Sequence, residues 1–150
     1  MRIFIGSDHR GFKLKSKITG LLRKQGYTVV DVGNHSEESC DYPVISEKVG
    51  REVAKSKDNR GILVCMTGIG HTIAANKIQG VYAALCYNEE AAALSRQHNN
   101  ANVLVLGAKF VPVKDFPKII KTWLAAEFEG GRHLRRVKQI KAIEKKFFKK

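Results

Sequence analysis

The fold of this chain is best predicted from the segment "GILVCMTGIGHT", residues 61–72. Its apolar beginning, 61–66, predicts a buried β-strand, and the run 70–79 predicts an α-helix. A glycine-rich turn lies between them and directly follows Cys65. A strand that is apolar throughout and leads into a helix is typical of a parallel sheet covered on both faces.

The rest of the chain repeats this alternation of strand and helix. Strands are predicted over 2–7, 27–33, 61–66, 81–87 and 101–108. Helices are predicted over 11–26, 44–57, 70–79, 88–98, 113–128 and the basic C-terminal segment 132–150. The pattern predicts a single α/β domain over 1–150, a Rossmann-like three-layer sandwich with a five-stranded parallel sheet.

Composition limits the classes of function. The chain has 150 residues, 43% of them hydrophobic and 27% charged, which suits one globular domain. No apolar run is long enough to cross a bilayer and no signal peptide is recognisable, so we expect a cytoplasmic protein without membrane contact. The three cysteines lack C-x-x-C spacing, so neither a disulfide framework nor a zinc site is expected.

The net charge of +13 is concentrated near the C-terminus. Segment 132–150 holds nine Lys or Arg against one acid, Glu144, and so carries +8. It is either a solvated helix face or, in its first turn at Arg132, His133 and Arg136, an anion site. The tail also suggests a nucleic-acid-binding protein, but the aromatic residues are scattered and no basic stripe crosses the rest of the chain.

The glycine-rich turn matches no nucleotide-binding motif. Gly68 and Gly70 would begin G-x-G-x-x-G, but the third position is Ile73, and no G-K-[ST] follows. Backbone N–H groups of such a turn can still bind a carboxylate, phosphate or enolate oxygen. A ligand cradle and a packing loop both fit this stretch.

Ionisable residues are predicted to gather where parallel sheets bind ligands, beyond the carboxyl ends of the strands. Cys65 precedes the turn, where a helix N-terminus would favour its thiolate and make it a base. Asp8 and His9 follow the first strand, and His98 lies next to the fifth. Each residue alone has a simpler structural explanation. Together they predict a proton-transfer site at one edge of the sheet.

Five motifs together resemble the B-type ribose-5-phosphate isomerases, a family that includes allose-6-phosphate and galactose-6-phosphate isomerases. They are "GSDHRGFKLK" (6–15), "DYP" (41–43), "GILVCMTGIGHTIAANK" (61–77), "SRQHNNANVLVLG" (95–107) and "EGGRHLRRV" (129–137). The resemblance extends from residue 2 to about 145. It implies a homodimer, or a tetramer, that needs no metal or cofactor and has a C-terminal helix reaching toward a partner subunit.

The activity that the resemblance implies is interconversion of D-ribose 5-phosphate and D-ribulose 5-phosphate through a cis-enediolate, in the pentose phosphate pathway. Allose 6-phosphate is the alternative substrate, and a galactose-6-phosphate isomerase subunit comes third. A phosphosugar-binding module without catalysis would keep Arg132 and Arg136 but would gain nothing from the thiol of Cys65.

The resemblance also implies roles for single residues. Cys65 matches the base that removes the C2 proton, and His98 matches the residue that opens the furanose ring. Arg132 and Arg136 match phosphate ligands that reach into the neighbouring subunit's site. The other matching positions, all of which contact substrate, are Asp8, His9, Tyr42, Met66, Thr67, Gly68, Ile69, Gly70 and Asn99, with Asp8 and Thr67 counted among the catalytic residues.

Three positions depart from the family pattern. Met66 stands where glycine is usual, His71 and Thr72 replace an apolar–serine pair, and Lys109 stands where some members have a phosphate-binding arginine. Two outcomes are open for His71: its ring either perturbs the thiol of Cys65 or faces solvent.

Overall fold

A computed structural model describes residues 1–148 of the chain. Its strands are β1 (Arg2–Ser7), β2 (Thr28–Asp31), β3 (Arg60–Cys65), β4 (Ala83–Leu85) and β5 (Val103–Gly107). Its α-helices are α1 (Phe12–Lys24), α2 (Tyr42–Ala54), α3 (Ile69–Ala75), α4 (Glu89–Asn99), α5 (Phe116–Ala125) and α6 (Gly131–Phe147). Every predicted element is present, most of them shorter than predicted. The predicted end of the last helix, at 149–150, lies outside the described residues.

The five strands form one parallel sheet in the order β2-β1-β3-β5-β4. The predicted α/β fold with a five-stranded parallel sheet is therefore confirmed. From β1 the chain moves to β2 on one side and then returns to β3 on the other side. The topological switch point, where open α/β sheets bind ligands, lies between the carboxyl ends of β1 and β3.

Both faces of the sheet are covered by helices, which explains why the strands are apolar throughout. Ile3 and Ile5 of β1 pack on one face, together with apolar side chains of α1, α4 and α5. Phe4 packs on the other face, together with apolar side chains of α2 and α3. The alternation along β1 thus divides the core into two layers, one on each side of the sheet.

The turn after β1 lies directly against β3. A Cβ atom at Gly11 would stand 2.2 Å from the carbonyl oxygen of Val64, so only glycine fits there. The N–H of Gly11 donates to Oδ1 of Asp8 at 2.8 Å. This contact holds Asp8 beside the end of β3.

The basic C-terminal segment forms α6, which packs on α4. His133 and Val137 are its buried residues, and its Lys and Arg side chains are exposed. Most of the tail is therefore a solvated helix face. No helix within residues 1–148 is long and apolar enough to span a membrane.

One buried charge joins α1 to the end of β2. The Lys15 side chain is 0% exposed, and its Nζ lies 2.7 Å from both carboxylate oxygens of Asp31. It also donates to the carbonyl oxygen of Asn34. Removing one partner of such a pair leaves the other charge without compensation in a poorly solvated place.

We expect Lys15→Met to lower the free energy of unfolding by about 3 kcal/mol, because Asp31 then loses its counter-charge. Lys13→Met is the matched control in the same helix, since Lys13 is 77% exposed and lies 3.1 Å from Glu37. That exposed pair is expected to contribute less than about 0.5 kcal/mol. Urea unfolding measures both, and equal costs would show that burial adds nothing to the Lys15 pair.

Candidate active site

Residues from three elements meet at the switch point. Asp8 follows β1, Cys65 ends β3, and His71 lies in the first turns of α3. A carboxylate oxygen of Asp8, the sulfur of Cys65 and a ring nitrogen of His71 all lie within 4.8 Å of one another. We call these three residues the carboxyl-edge cluster. Cys65 and His71 are buried, while Asp8 is partly exposed.

The turn after β3 directs a backbone donor at the thiol. The N–H of Gly68 donates to the sulfur of Cys65 at 3.0 Å. Gly68 adopts φ +81°, a left-handed conformation that glycine adopts without strain. The backbone donor of the turn is therefore directed at the thiol of Cys65 in the single chain.

The segment that follows β5 supports the same turn. The N–H of Ala108 donates to the carbonyl oxygen of Cys65, and that of Lys109 to the carbonyl oxygen of Met66, both at 2.8 Å. A Cβ atom at Gly107 would lie 2.5 Å from the carbonyl oxygen of Thr67. Close backbone packing at Gly107 thus fixes the position of the turn.

Burial raises the pKa of the Cys65 thiol above its ordinary value. The N–H of Gly68 opposes this rise, and the negative charge of Asp8 adds to it. The prediction that a helix N-terminus lowers the pKa of this thiol is therefore wrong for the single chain. Desolvation outweighs the backbone donors, and α3 is only seven residues long.

His71 is fully buried, so the alternative in which it faces solvent is wrong. The Ser46 hydroxyl donates to the carbonyl oxygen of Tyr42 at 3.0 Å, and its oxygen lies 2.7 Å from Nδ1 of His71. This arrangement assigns the ring proton to Nδ1 and leaves a lone pair on Nε2. Burial lowers the pKa of His71 to about 4, so the ring is neutral near pH 7.

Buried polar atoms without partners are concentrated here. Within residues 1–148 four buried side-chain polar atoms have no hydrogen-bond partner, and three of them belong to Ser7, His9 and His71. Buried polar groups are nearly always paired, so each unpaired one calls for an explanation. Their grouping around the switch point is the pattern expected of a site that binds a polar ligand.

The remaining predicted residues of this half of the site lie close by. Tyr42 begins α2, and a Cβ atom at Gly70 would lie 2.7 Å from its ring. The Tyr42 ring also stands edge-on to that of His71, with 5.7 Å between centroids. Met66 and Ile69 have exposed side chains, so the bulk of Met66 does not fill the buried side of the turn.

A second group surrounds His98, in the last turn of α4. The His98 ring stacks on that of His133, with centroids 4.0 Å apart and planes 4° from parallel. A carboxylate oxygen of Glu129 lies 3.9 Å from Nε2 of His98 and 3.5 Å from that of His133. Arg132 donates from Nε to Nε2 of His133 at 3.4 Å. Asn99 directly follows His98, Arg136 lies three positions after His133, and both side chains are exposed. We call His98, Asn99, Glu129, Arg132, His133 and Arg136 the amino-edge group.

The two groups lie at opposite ends of the strands. The carboxyl-edge cluster lies at their carboxyl ends, and the amino-edge group lies at their amino ends. Helix α4 ends at the beginning of β5, where the carbonyl oxygen of Asn102 accepts from the N–H of Gly61. From Gly61 to Cys65, β3 rises by about 13 Å. The prediction that His98 and Cys65 share one edge within a chain is therefore wrong. In a β-α-β unit the helix returns the chain to the amino end of the sheet, so the last turn of α4 lies at that end.

Sequence reasoning missed two features of these groups. Glu129 was not predicted as a partner of His98, and Ser46 was not predicted as a partner of His71. Both contacts join residues at least 25 positions apart in sequence, so no local spacing reveals them.

The fold and the carboxyl-edge cluster define an α/β protein that carries an ionisable site at its switch point. The chain matches the family described as Ribose/Galactose Isomerase over residues 3–140, and it belongs to that family.

Individual relatives agree with this assignment over nearly the whole chain. Ribose-5-phosphate isomerase B of Escherichia coli is 44% identical, with 97% of each chain covered. The structure of ribose-5-phosphate isomerase B from Clostridium thermocellum superposes with a TM-score of 0.95 at 50% identity, covering 98% of this chain and 99% of that one. The enzyme from Mycoplasma genitalium with bound ribulose-5-phosphate gives a TM-score of 0.92 at 47% identity, covering 96% of each chain.

We expect Gly107→Ala to lower the free energy of unfolding by about 2 kcal/mol, because the new methyl group meets the backbone of Thr67. Gly20→Ala in α1 is the control, since a Cβ atom there meets nothing within 4 Å. It should stabilise the protein by up to about 1 kcal/mol through helix propensity. Denaturant unfolding measures both changes in the free energy of unfolding. Changes of opposite sign would confirm the close contact, and changes of the same sign would contradict it.

Proposed function

We propose that this chain is a cofactor-independent aldose–ketose isomerase that interconverts D-ribose 5-phosphate and D-ribulose 5-phosphate through a cis-enediolate. The observation that carries the proposal is the placement of Cys65 at the switch point, with the Gly68 N–H on its sulfur, in a chain of this family. The relative from Mycoplasma genitalium, described with bound ribulose-5-phosphate, supports the choice of sugar. The proposal treats 1–150 as one domain and the protein as cytoplasmic, where its free thiols stay reduced.

Cys65 is the base of the proposed reaction. Its thiolate takes the proton from C2 of the open-chain aldose, and negative charge develops on the C1 oxygen. The proton then returns at C1 while the proton of the C2 hydroxyl passes to the C1 oxygen, which leaves the ketose. Backbone N–H groups of the 66–70 turn are the donors for the enediolate oxygen. Each well-placed donor contributes about 3 kcal/mol, and a positioned base contributes about a hundredfold or more.

The remaining groups of the site are proposed to come from a second copy of the chain. The amino-edge group cannot reach Cys65 of its own chain, because the length of β3 separates them. In a homodimer, His98 of one copy would meet the cluster of the other for ring opening, and Asn99 would lie beside the turn that holds the enediolate. Arg132 and Arg136 would bind the phosphate. Their positive charge would also counteract the rise in the Cys65 pKa that burial causes.

An exposed apolar stripe on α6 supports a partner at this helix. Ile140, Ile143 and Phe147 are exposed, and their spacing from Arg136 places all four residues on one helix face. An exposed apolar row beside a proposed ligand residue is typical of a surface that a protein partner covers. This supports the proposal that α6 reaches toward a partner subunit.

We expect the purified protein to convert ribose 5-phosphate to ribulose 5-phosphate in the presence of EDTA. Cys65→Ala should lower kcat by at least about a hundredfold, because it removes the base. Cys86→Ala is the matched control, since Cys86 is a buried thiol in the hydrophobic core. If Cys65→Ala and Cys86→Ala turned over equally well, Cys65 would not be the base. A higher kcat/KM for allose 6-phosphate would assign the six-carbon sugar instead.

A mixture of two inactive variants tests the shared site. When Cys65→Ala is refolded with an equal amount of His98→Asn/Arg136→Ala, about half of the dimers should be mixed, each with one intact site. We therefore expect about one quarter of the native activity. Asp8→Asn refolded with Cys65→Ala is the control and should recover nothing, because both changes affect the same edge. No recovery in the first mixture would contradict the shared site.

A further inference from the structure

We propose that Asp8, Cys65 and His71 form a binding site for a thiophilic divalent cation, typified by Zn²⁺, and that occupancy of this site blocks the isomerase. The metal site follows from the geometry of the carboxyl-edge cluster alone. The inhibition rests on the proposed function of Cys65 as the base.

The three residues offer the ligand types that zinc prefers: a thiolate, an imidazole and a carboxylate. Their ligand atoms already lie within 4.8 Å of one another. Zinc bonds of about 2.0 Å to nitrogen and 2.3 Å to sulfur require ligand atoms about 3.5 Å apart, so no pair of these atoms has to approach by more than about 1.3 Å. Asp8 has room to move toward the other two residues, because it lies partly exposed in a turn and only its Oδ1 accepts from Gly11.

His71 is held in the way that metal-binding histidines are held. Its Nδ1–H donates to Ser46, and the Ser46 hydroxyl in turn donates to the carbonyl oxygen of Tyr42. A hydrogen bond of this kind fixes the tautomer and orients the other ring nitrogen toward a metal. Nε2 is buried and has no hydrogen-bond partner. An unpaired lone pair in a buried position is the independent sign that this cluster takes a ligand.

The amino-edge group competes poorly for the same cation. His98, Glu129 and His133 also place ligand atoms within 4.8 Å of one another. They offer no sulfur, however, and Nε2 of His133 accepts from Arg132. The carboxyl-edge cluster is therefore the preferred site.

Metal binding and catalysis exclude each other at Cys65. On binding, the thiol releases its proton to solvent and the thiolate forms a bond to the metal. A sulfur engaged in that bond cannot accept the C2 proton of the sugar. Substrate and cation should consequently compete for the same residues.

Titration of the chelator-treated, substrate-free protein with Co²⁺ tests the site directly. We expect one ion per chain and a near-ultraviolet charge-transfer absorption from thiolate to cobalt, which Zn²⁺ removes by displacing the cobalt. Cys65→Ser should abolish this absorption, and His71→Asn should weaken binding by at least about tenfold. His133→Asn, which alters the amino-edge group, should leave both unchanged.

Ser46→Ala provides a second variant in which His71 itself is retained. Loss of the hydrogen bond that orients the ring should weaken Co²⁺ binding by about tenfold or more. Cobalt binding without the thiolate absorption, or with equal affinity in the native protein and His71→Asn, would overturn the proposed site.

Inhibition is measured separately with ribose 5-phosphate. Zn²⁺ should inhibit the native protein reversibly, with full recovery on addition of EDTA, and substrate should protect against it. Binding with the thiolate absorption in a protein that lacks turnover would support the metal site and overturn the proposed isomerase function alone. Turnover that saturating Zn²⁺ does not affect would overturn the proposed inhibition.

Discussion

The candidate site depends on the parallel pairing of β1 with β3. This pairing sets Ser7 beside Val64, so the residues that follow the two strands meet at one point. Gly11 completes the contact, because any side chain there would collide with the Val64 carbonyl oxygen. A larger residue at position 11 would push the turn away from β3 and move Asp8 away from Cys65. A backbone contact that only glycine permits therefore holds the carboxylate beside the thiol.

Charge is distributed unequally between the two edges of the sheet. The carboxyl edge holds a buried thiol whose pKa is raised and an imidazole that burial keeps neutral. The amino edge carries Arg132 and Arg136 on the exposed surface of α6. Neither edge alone suits the binding of a phosphorylated sugar and removal of its C2 proton. In the proposed dimer each edge supplies what the other lacks, because positive charge from one copy would favour both the phosphate and the thiolate of the other.

The proposed metal site arises from the same burial. An apolar residue at position 71, as the family resemblance suggests, would leave only Asp8 and Cys65 as potential ligands. His71 adds a third ligand type within reach of both, and Ser46 holds its ring. The same loss of solvent that raises the pKa of the thiol also leaves the lone pair of Nε2 without a partner. A buried lone pair without a hydrogen-bond partner can accept a hydrogen bond from a polar substrate or bind a thiophilic cation.

The sequence by itself determined the order of strands and helices, the parallel α/β class, the family, and Cys65 and Asp8 as residues that meet. Those conclusions rest on local periodicity and on motifs that lie within single elements. Only the tertiary structure decided that β5 lies between β3 and β4, that His98 lies at the edge opposite Cys65, and that His71 points inward to Ser46. It also reversed the expected direction of the Cys65 pKa shift. Periodicity reports which side of an element is apolar. Desolvation and the edge at which a helix ends depend on how the chain crosses the sheet, and no local pattern encodes that path.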